Sequence, residues 1–167
     1  FTGKGLPFGG SLIRPESTGY GTVYFANAML EHAGRDFKGL RVSVSGSGNV
    51  AQYAIEQLMQ LGAKPITCSD SSGTVIDEAG FTPEKLAILM EIKNHYYGRV
   101  AEYAERVGAR FEPNVRPWHV PVDVALPCAT QNEVDANDAA TLVKNGVVAV
   151  AEGANMPSTV EAVKIFE

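Results

Sequence analysis

Gly46-Ser47-Gly48-Asn49-Val50-Ala51 fits the pattern G-x-G-x-x-G/A, with alanine in the third place. Gly46 allows the backbone to turn sharply out of a strand, and Gly48 puts no side chain where a diphosphate would approach. A small residue at Ala51 lets the following helix lie close to a sheet. The exposed N–H groups of that helix start, with the macrodipole behind them, then face an anion. Gly46, Ser47, Gly48, Asn49 and Val50 are therefore the candidate diphosphate contacts. Asp70, 24 residues after Gly46, stands where a dinucleotide-binding unit places an acid on free ribose hydroxyls. Six such residues alone also describe a tight turn with no ligand. A strand before them, a helix after them and Asp70 beyond together point to a dinucleotide.

The elements that position these residues alternate along the whole chain. Arg41–Ser45 reads as a strand and leads into the glycines. From Asn49 the stripe Val50, Ala54, Leu58, Leu61 has helical spacing, closed by Gly62. Upstream, Pro15 and Glu16 suggest a helix start, with Val23, Ala26, Leu30 and Ala33 as its apolar face and Gly34 as its stop. Residues 65–69 and 74–77 read as strands, and Thr82-Pro83-Glu84 as a helix start with Leu86, Leu89 and Met90 inward. A helix is expected over Val100–Val107, a buried strand over residues 122–127, a helix from Asp135 to about Asn145-Gly146, and a strand over residues 147–153. Ser158 with Glu161 predicts a capping box for a last helix. Alternation with short connections predicts one α/β domain over residues 1–167: Rossmann-like and doubly wound, a mostly parallel sheet with helices on both faces.

Composition narrows the function classes. The 167 residues are 45% hydrophobic and 20% charged with net charge −5, and no apolar run approaches a bilayer span. The acidic balance and the absence of a basic run argue against nucleic acid. Cys68 and Cys128 match no metal or redox spacing and read as free thiols of a cytoplasmic protein. His32, His95 and His119 are scattered, so no metal site is expected. The start lacks Met and a secretory pattern, and the chain reads as a piece of a longer protein.

Five stretches in order, residues 3–21, 45–56, 69–75, 126–133 and 151–157 ("GKGLPFGGSLIRPESTGYG", "SGSGNVAQYAIE", "SDSSGTV", "LPCATQNE", "AEGANMP"), resemble hexameric glutamate dehydrogenases of the NADP-dependent bacterial type. The resemblance covers essentially the whole chain. It implies the cofactor-binding domain of an enzyme for reversible oxidative deamination of L-glutamate to 2-oxoglutarate and ammonium. In that family the lysines and aspartate that activate the amino acid, and most hexamer contacts, lie on a domain upstream. The resemblance therefore implies no catalytic residue in this stretch, and Lys4 reads as a solvated lysine. Thr18 and Asn49 resemble the pair that hydrogen-bonds the nicotinamide carboxamide, with Arg14 nearby as a possible support. Asn155 resembles the nicotinamide-ribose contact; by residue type alone it is equally a turn residue. Ala129, Thr130 and Gln131 follow the 122–126 strand at its carboxyl end, where ligands sit in doubly wound sheets.

The choice between NAD and NADP turns on residues 70–72. Asp70 alone favours NAD, because a carboxylate accepts bonds from ribose hydroxyls and repels a 2′-phosphate. Ser71 and Ser72 offer hydroxyls and turn N–H groups to a phosphate, and Lys93 and Arg99 offer cations, unless both are merely solvated charges. "SDSSG" resembles the NADP-preferring members, so NADP is expected, with NAD possible. Asp70 either faces away from the phosphate or shares a proton or hydrogen bond with it, and its removal is expected to help NADP binding or leave it unchanged. The alternatives are an NAD-dependent leucine, phenylalanine or valine dehydrogenase domain, and a nucleotide-sensing Rossmann module without chemistry.

Overall fold

The computed structural model describes Pro7 and residues 16–167. Lys4, Arg14, Pro15 and most of the first resemblance stretch lie outside the described residues. Helix α1 runs Ser17–His32, preceded by Glu16. Strand β1, Arg41–Val44, and helix α2, Asn49–Gln60, follow at the expected places. Then come β2 (Lys64–Pro65), β3 (Thr67–Asp70), β4 (Gly73–Ile76), α3 (Pro83–Met90) and α4 (Val100–Val107). Strands β5 (Arg110–Pro113) and β6 (Val124–Leu126), helix α5 (Ala136–Lys144), strand β7 (Ala149–Val150) and helix α6 (Val160–Phe166) complete the order.

Strands β2-β1-β6-β7 form an all-parallel sheet. Its strands are mostly apolar, Arg41, Ser43 and Lys64 excepted, because both faces are covered. Val42, Val44, Val124 and Leu126 pack with Val23, Ala26, Ile55 and Leu58 of α1 and α2. Ala125, which points the other way, packs with Trp118, Leu142 and Ala162 on the α5–α6 side. Full burial of a side chain such as Leu58 contributes about 1.5–3 kcal/mol. Helices α1 and α2 cross in backbone contact at Gly19, where a Cβ would stand 2.7 Å from the Val50 carbonyl oxygen and 2.8 Å from the Ala54 nitrogen. That close approach brings Thr18 beside the start of α2.

The doubly wound expectation holds for this sheet, but residues 65–69 are not one strand. After β2 the chain leaves the parallel ladder, and the Thr67 hydroxyl replaces the lost backbone partner. It accepts from the Val44 N–H and donates to the Val44 carbonyl, both at 2.9 Å. Strand β3 then pairs antiparallel with β4, and β4 with β5. Gly73 makes this second sheet possible: φ is +151°, and a Cβ would meet the Glu112 carbonyl oxygen and, at 2.9 Å, the Pro113 Cα.

The end of the chain corrects one expectation. Thr159, not Ser158, caps α6, its hydroxyl accepting from the Ala162 N–H at 3.2 Å. The Ser158 hydroxyl is buried without a partner. A capping box does occur at α5, where Asp135 and Asp138 each accept the other's N–H. The strand expected over residues 147–153 is ladder-paired only at Ala149–Val150.

Candidate functional site

The carboxyl ends of β1, β6 and β7 lie side by side, and the glycine turn leaves β1 there. Gly46 has φ +85°, and a Cβ would stand 2.9 Å from the Cys128 carbonyl oxygen at the end of β6. Its N–H donates to the Ser69 hydroxyl at 2.8 Å, which fastens the turn to β3. The Ser45 hydroxyl accepts from the Cys128 N–H at 2.9 Å, which fastens it to β6. Gly48 is the residue before α2, no side chain caps this helix, and a Cβ there would project into open space. The turn is thus rigid from behind and bare in front. Ala51 is fully buried against the core, as close helix–sheet packing requires.

Beyond the turn, an open cleft of about 460 Å³ runs between α1 and the ends of β6 and β7. Thr18, Val50, Ala129, Thr130, Gln131 and Asn155 line it together with Cys128, Gly153 and Ala154. Residues from four separate stretches therefore line one cleft. Asn49 opens α2 and is exposed, but it lies beside the cleft lining rather than within it.

At the other end, the Ser71–Ser72 turn joins β3 to β4. Asp70 is turned inward there. Its Oδ1 accepts from the Ser72 N–H at 2.8 Å and from the Ser72 hydroxyl. Its Oδ2 accepts from Lys93 Nζ at 3.1 Å and from the Val100 N–H at 2.9 Å, at the start of α4. Burial pushes this carboxyl up, and the bonds from Ser72, Val100 and Lys93 more than reverse the effect, leaving it below the ordinary carboxylate range. Both oxygens are committed to protein donors, so Asp70 is not poised to accept ribose hydroxyls. Lys93 Nζ also donates to the Gly98 carbonyl at 3.0 Å. The exposed Ser71 hydroxyl accepts from Arg99 Nη1 at 2.8 Å. Ser71, Lys93 and Arg99 thus gather around one turn; a cavity of about 290 Å³ beside it is lined by Asp70, Ser71, Asn114 and Arg116, and by neither Lys93 nor Arg99.

The sequence and fold of the chain have relatives among known proteins. The sequence profile of the Glutamate/Leucine/Phenylalanine/Valine dehydrogenase family matches residues 9–167. The chain belongs to this family. The NADP-specific glutamate dehydrogenase of Escherichia coli is 65% identical over the whole chain, and the NAD(P)-specific glutamate dehydrogenase of Xylanibacter ruminicola is 58% identical over 99% of it. The chain spans 37% of the length of each. The crystal structure of Plasmodium falciparum glutamate dehydrogenase superposes with a TM-score of 0.91 at 47% identity, over 99% of this chain and 36% of that one.

In this member of the family, a residue that motif reading did not single out braces the cleft. Glu133 is 1% exposed, and its Oε2 accepts from the Ala129 and Thr130 N–H groups at 2.9 and 2.7 Å. Its backbone carbonyl accepts from Trp118 Nε1 at 3.0 Å and Arg116 Nη1 at 2.7 Å. Its place at the end of the 126–133 stretch, just after a strand-end loop, is the sequence signal that could have found it. Cys68 and Cys128 are buried free thiols whose pKa values burial drives upward, so neither is a nucleophile. Among the described residues no group of His, Cys, Asp or Glu could hold a metal ion, and no helix is long and apolar enough to cross a membrane.

Proposed function

We propose that this chain is the NADP-binding domain of a glutamate dehydrogenase, a cytoplasmic homohexamer that reversibly converts L-glutamate to 2-oxoglutarate and ammonium. The observation that carries the reading is the uncapped α2 start at Gly48, open in front and lying between the Thr18–Asn155 cleft and the Ser71–Arg99 turn. The N–H groups of residues 47–50 and the α2 dipole bind the diphosphate; the Gly46 N–H, given to the Ser69 hydroxyl, shapes the turn instead of meeting the anion. Ser71, Lys93 and Arg99 bind a 2′-phosphate. With Asp70 turned to Ser72, Lys93 and Val100, its charge is offset by Lys93 instead of opposing that phosphate. Thr18 and Asn49 orient the nicotinamide carboxamide, and Ala129–Gln131 with Asn155 hold its ribose, which fixes the ring face that meets substrate. When bound, NADP supplies the hydride acceptor and donor. No residue of this chain is assigned to acid–base work on the amino acid; that chemistry belongs to the substrate domain of the whole enzyme.

Calorimetric titration of the chain with NADP+ and NAD+ tests the reading. NADP+ should bind more tightly, and glutamate should drive no NADPH formation by this chain alone. Equal affinities, or no binding of either, would overturn the cofactor assignment, and glutamate oxidation by the chain alone would overturn the division of labour.

A further inference from the structure

The glycine turn and the Ser71 turn are joined by a side-chain bridge. Gln52, in the first turn of α2, is fully buried, and its Nε2 donates to the Ser47 carbonyl at 2.7 Å. The same amide pairs reciprocally with Asn94: Gln52 Nε2 donates to Asn94 Oδ1 at 2.9 Å, and Asn94 Nδ2 donates to Gln52 Oε1 at 3.0 Å. Asn94 belongs to a π-helical turn, Glu91–His95, that continues α3. Such a turn carries more residues than an α-helical one and changes the direction of each side chain in it; in long helices it marks functional places. Here it also lets the Gly98 N–H reach back to the Ile92 carbonyl at 2.8 Å. Gly98 itself is packed so tightly that a Cβ would stand 2.9 Å from Ile92 Cγ2. Lys93, next to Asn94, then bonds both the Gly98 carbonyl and Asp70.

We infer that Gln52 and Asn94 are positioning residues for cofactor discrimination. Their amide pair fixes the π turn against the diphosphate-binding turn, so that Lys93 stands at the place of the 2′-phosphate. The inference rests on the assignment of Lys93 to that phosphate. Nothing in the pair itself needs to touch cofactor. Asn94 is exposed and its side chain bonds Gln52; its removal frees the π turn that carries Lys93, while Gln52 keeps its own bond to the Ser47 carbonyl. Gln52 also holds the Ser47 carbonyl, so its removal disturbs the part of the site that both cofactors share.

A double-mutant cycle separates these roles. Asn94→Ala, Lys93→Ala and the double variant are titrated with NADP+ and NAD+, with thermal melts as folding controls. Asn94→Ala should weaken NADP+ by about three- to tenfold, the loss of one or two neutral hydrogen bonds, and change NAD+ by less than about twofold. Lys93→Ala should weaken NADP+ by about ten- to a hundredfold, and adding Asn94→Ala to it should cost nothing further. Gln52→Ala should weaken both cofactors, NADP+ more. If Lys93→Ala is selective for NADP+ but Asn94→Ala is unselective or adds in full to it, the positioning role is wrong and the phosphate assignment stands. If Lys93→Ala weakens both cofactors equally, the phosphate assignment and the positioning role fall together.

Discussion

Asp70→Asn tests the inward-facing carboxylate most directly. Its four donors arrive in two pairs, the Ser72 N–H and hydroxyl on Oδ1 and Lys93 Nζ with the Val100 N–H on Oδ2. Asparagine has the same shape but offers one acceptor oxygen and one donor group. Turned toward Lys93 and Val100 the NH2 meets two donors; turned toward Ser72 it meets the backbone N–H, while the Ser72 hydroxyl can rotate to accept from it, so at least one bond is replaced by a donor–donor contact. The Lys93 ammonium, with a side chain 16% exposed, also loses a carboxylate that is 8% exposed. Removing one partner of a fully buried pair costs about 3–5 kcal/mol. Water reaches part of Lys93, so about 2–4 kcal/mol is expected here. For a chain of this length that lowers Tm by about 4–16 °C.

The same cause sets the pH dependence. The Asp70 pKa is depressed in the fold, so its contribution is complete above the unfolded value, about 4, and is lost as pH falls through the folded value. The gap between parent and variant should stay constant from about pH 8 to about pH 5 and close below about pH 4. Urea unfolding followed by fluorescence of Trp118, the single tryptophan, 1% exposed in the fold, measures it. NADP+ affinity should also fall, because Lys93 loses its anchor, whereas repulsion alone would make it rise. A gap below about 0.5 kcal/mol at neutral pH, or one unchanged in acid, would refute the clamp.

Gly48→Val should remove measurable binding of both dinucleotides while changing stability by less than about 1 kcal/mol, since its side chain enters open space at an N-cap; unchanged affinity in a folded variant would sink the phosphate-turn assignment. Glu133→Ala removes the charged acceptor of the Ala129 and Thr130 N–H groups, which then turn to water at the open cleft, and should cost about 1.5–3 kcal/mol, whereas Glu133→Gln keeps an acceptor oxygen and should cost less than half as much; equal melting temperatures for the two variants would show that the bracing is not by these bonds. Thr159→Ala should lose about 1 kcal/mol of cap energy, while Ser158→Ala, which removes an unpartnered buried hydroxyl, should be neutral or stabilising; chemical denaturation of the pair decides which residue caps α6.

What the sequence determined by itself is what short-range physics specifies. The Thr82 cap with Pro83 behind it, the bounds of α4 at Val100 and Val107, the Asp135 start of α5 and the strand–glycine–helix turn at 41–51 all depend on residues within a few positions of one another. Helical period and capping hydrogen bonds are readable at that distance. The cleft-lining residues Thr18, Ala129–Gln131 and Asn155 stand in stretches that motif resemblance marks; strand–helix alternation brings the loops after β6 and β7 to one sheet edge, and the packing of α1 on α2 adds Thr18.

Tertiary structure decided the rest, where partners are far apart in the chain. Arg110–Pro113 carries no buried apolar alternation and becomes β5 only because Gly73 lets its backbone approach β4. Thr67 and Ser69 read as ordinary strand residues, yet their hydroxyls replace backbone partners where β3 leaves the parallel sheet. Asp70 has the position of a ribose acceptor, but donors at residues 72, 93 and 100 claim both of its oxygens. Glu133 and Gln52 lie within the stretches 126–133 and 45–56, but nothing in either stretch names their partners, and Asn94 lies outside all five. A buried polar side chain must find its bonds wherever packing delivers a partner, and that delivery is a property of the assembled fold.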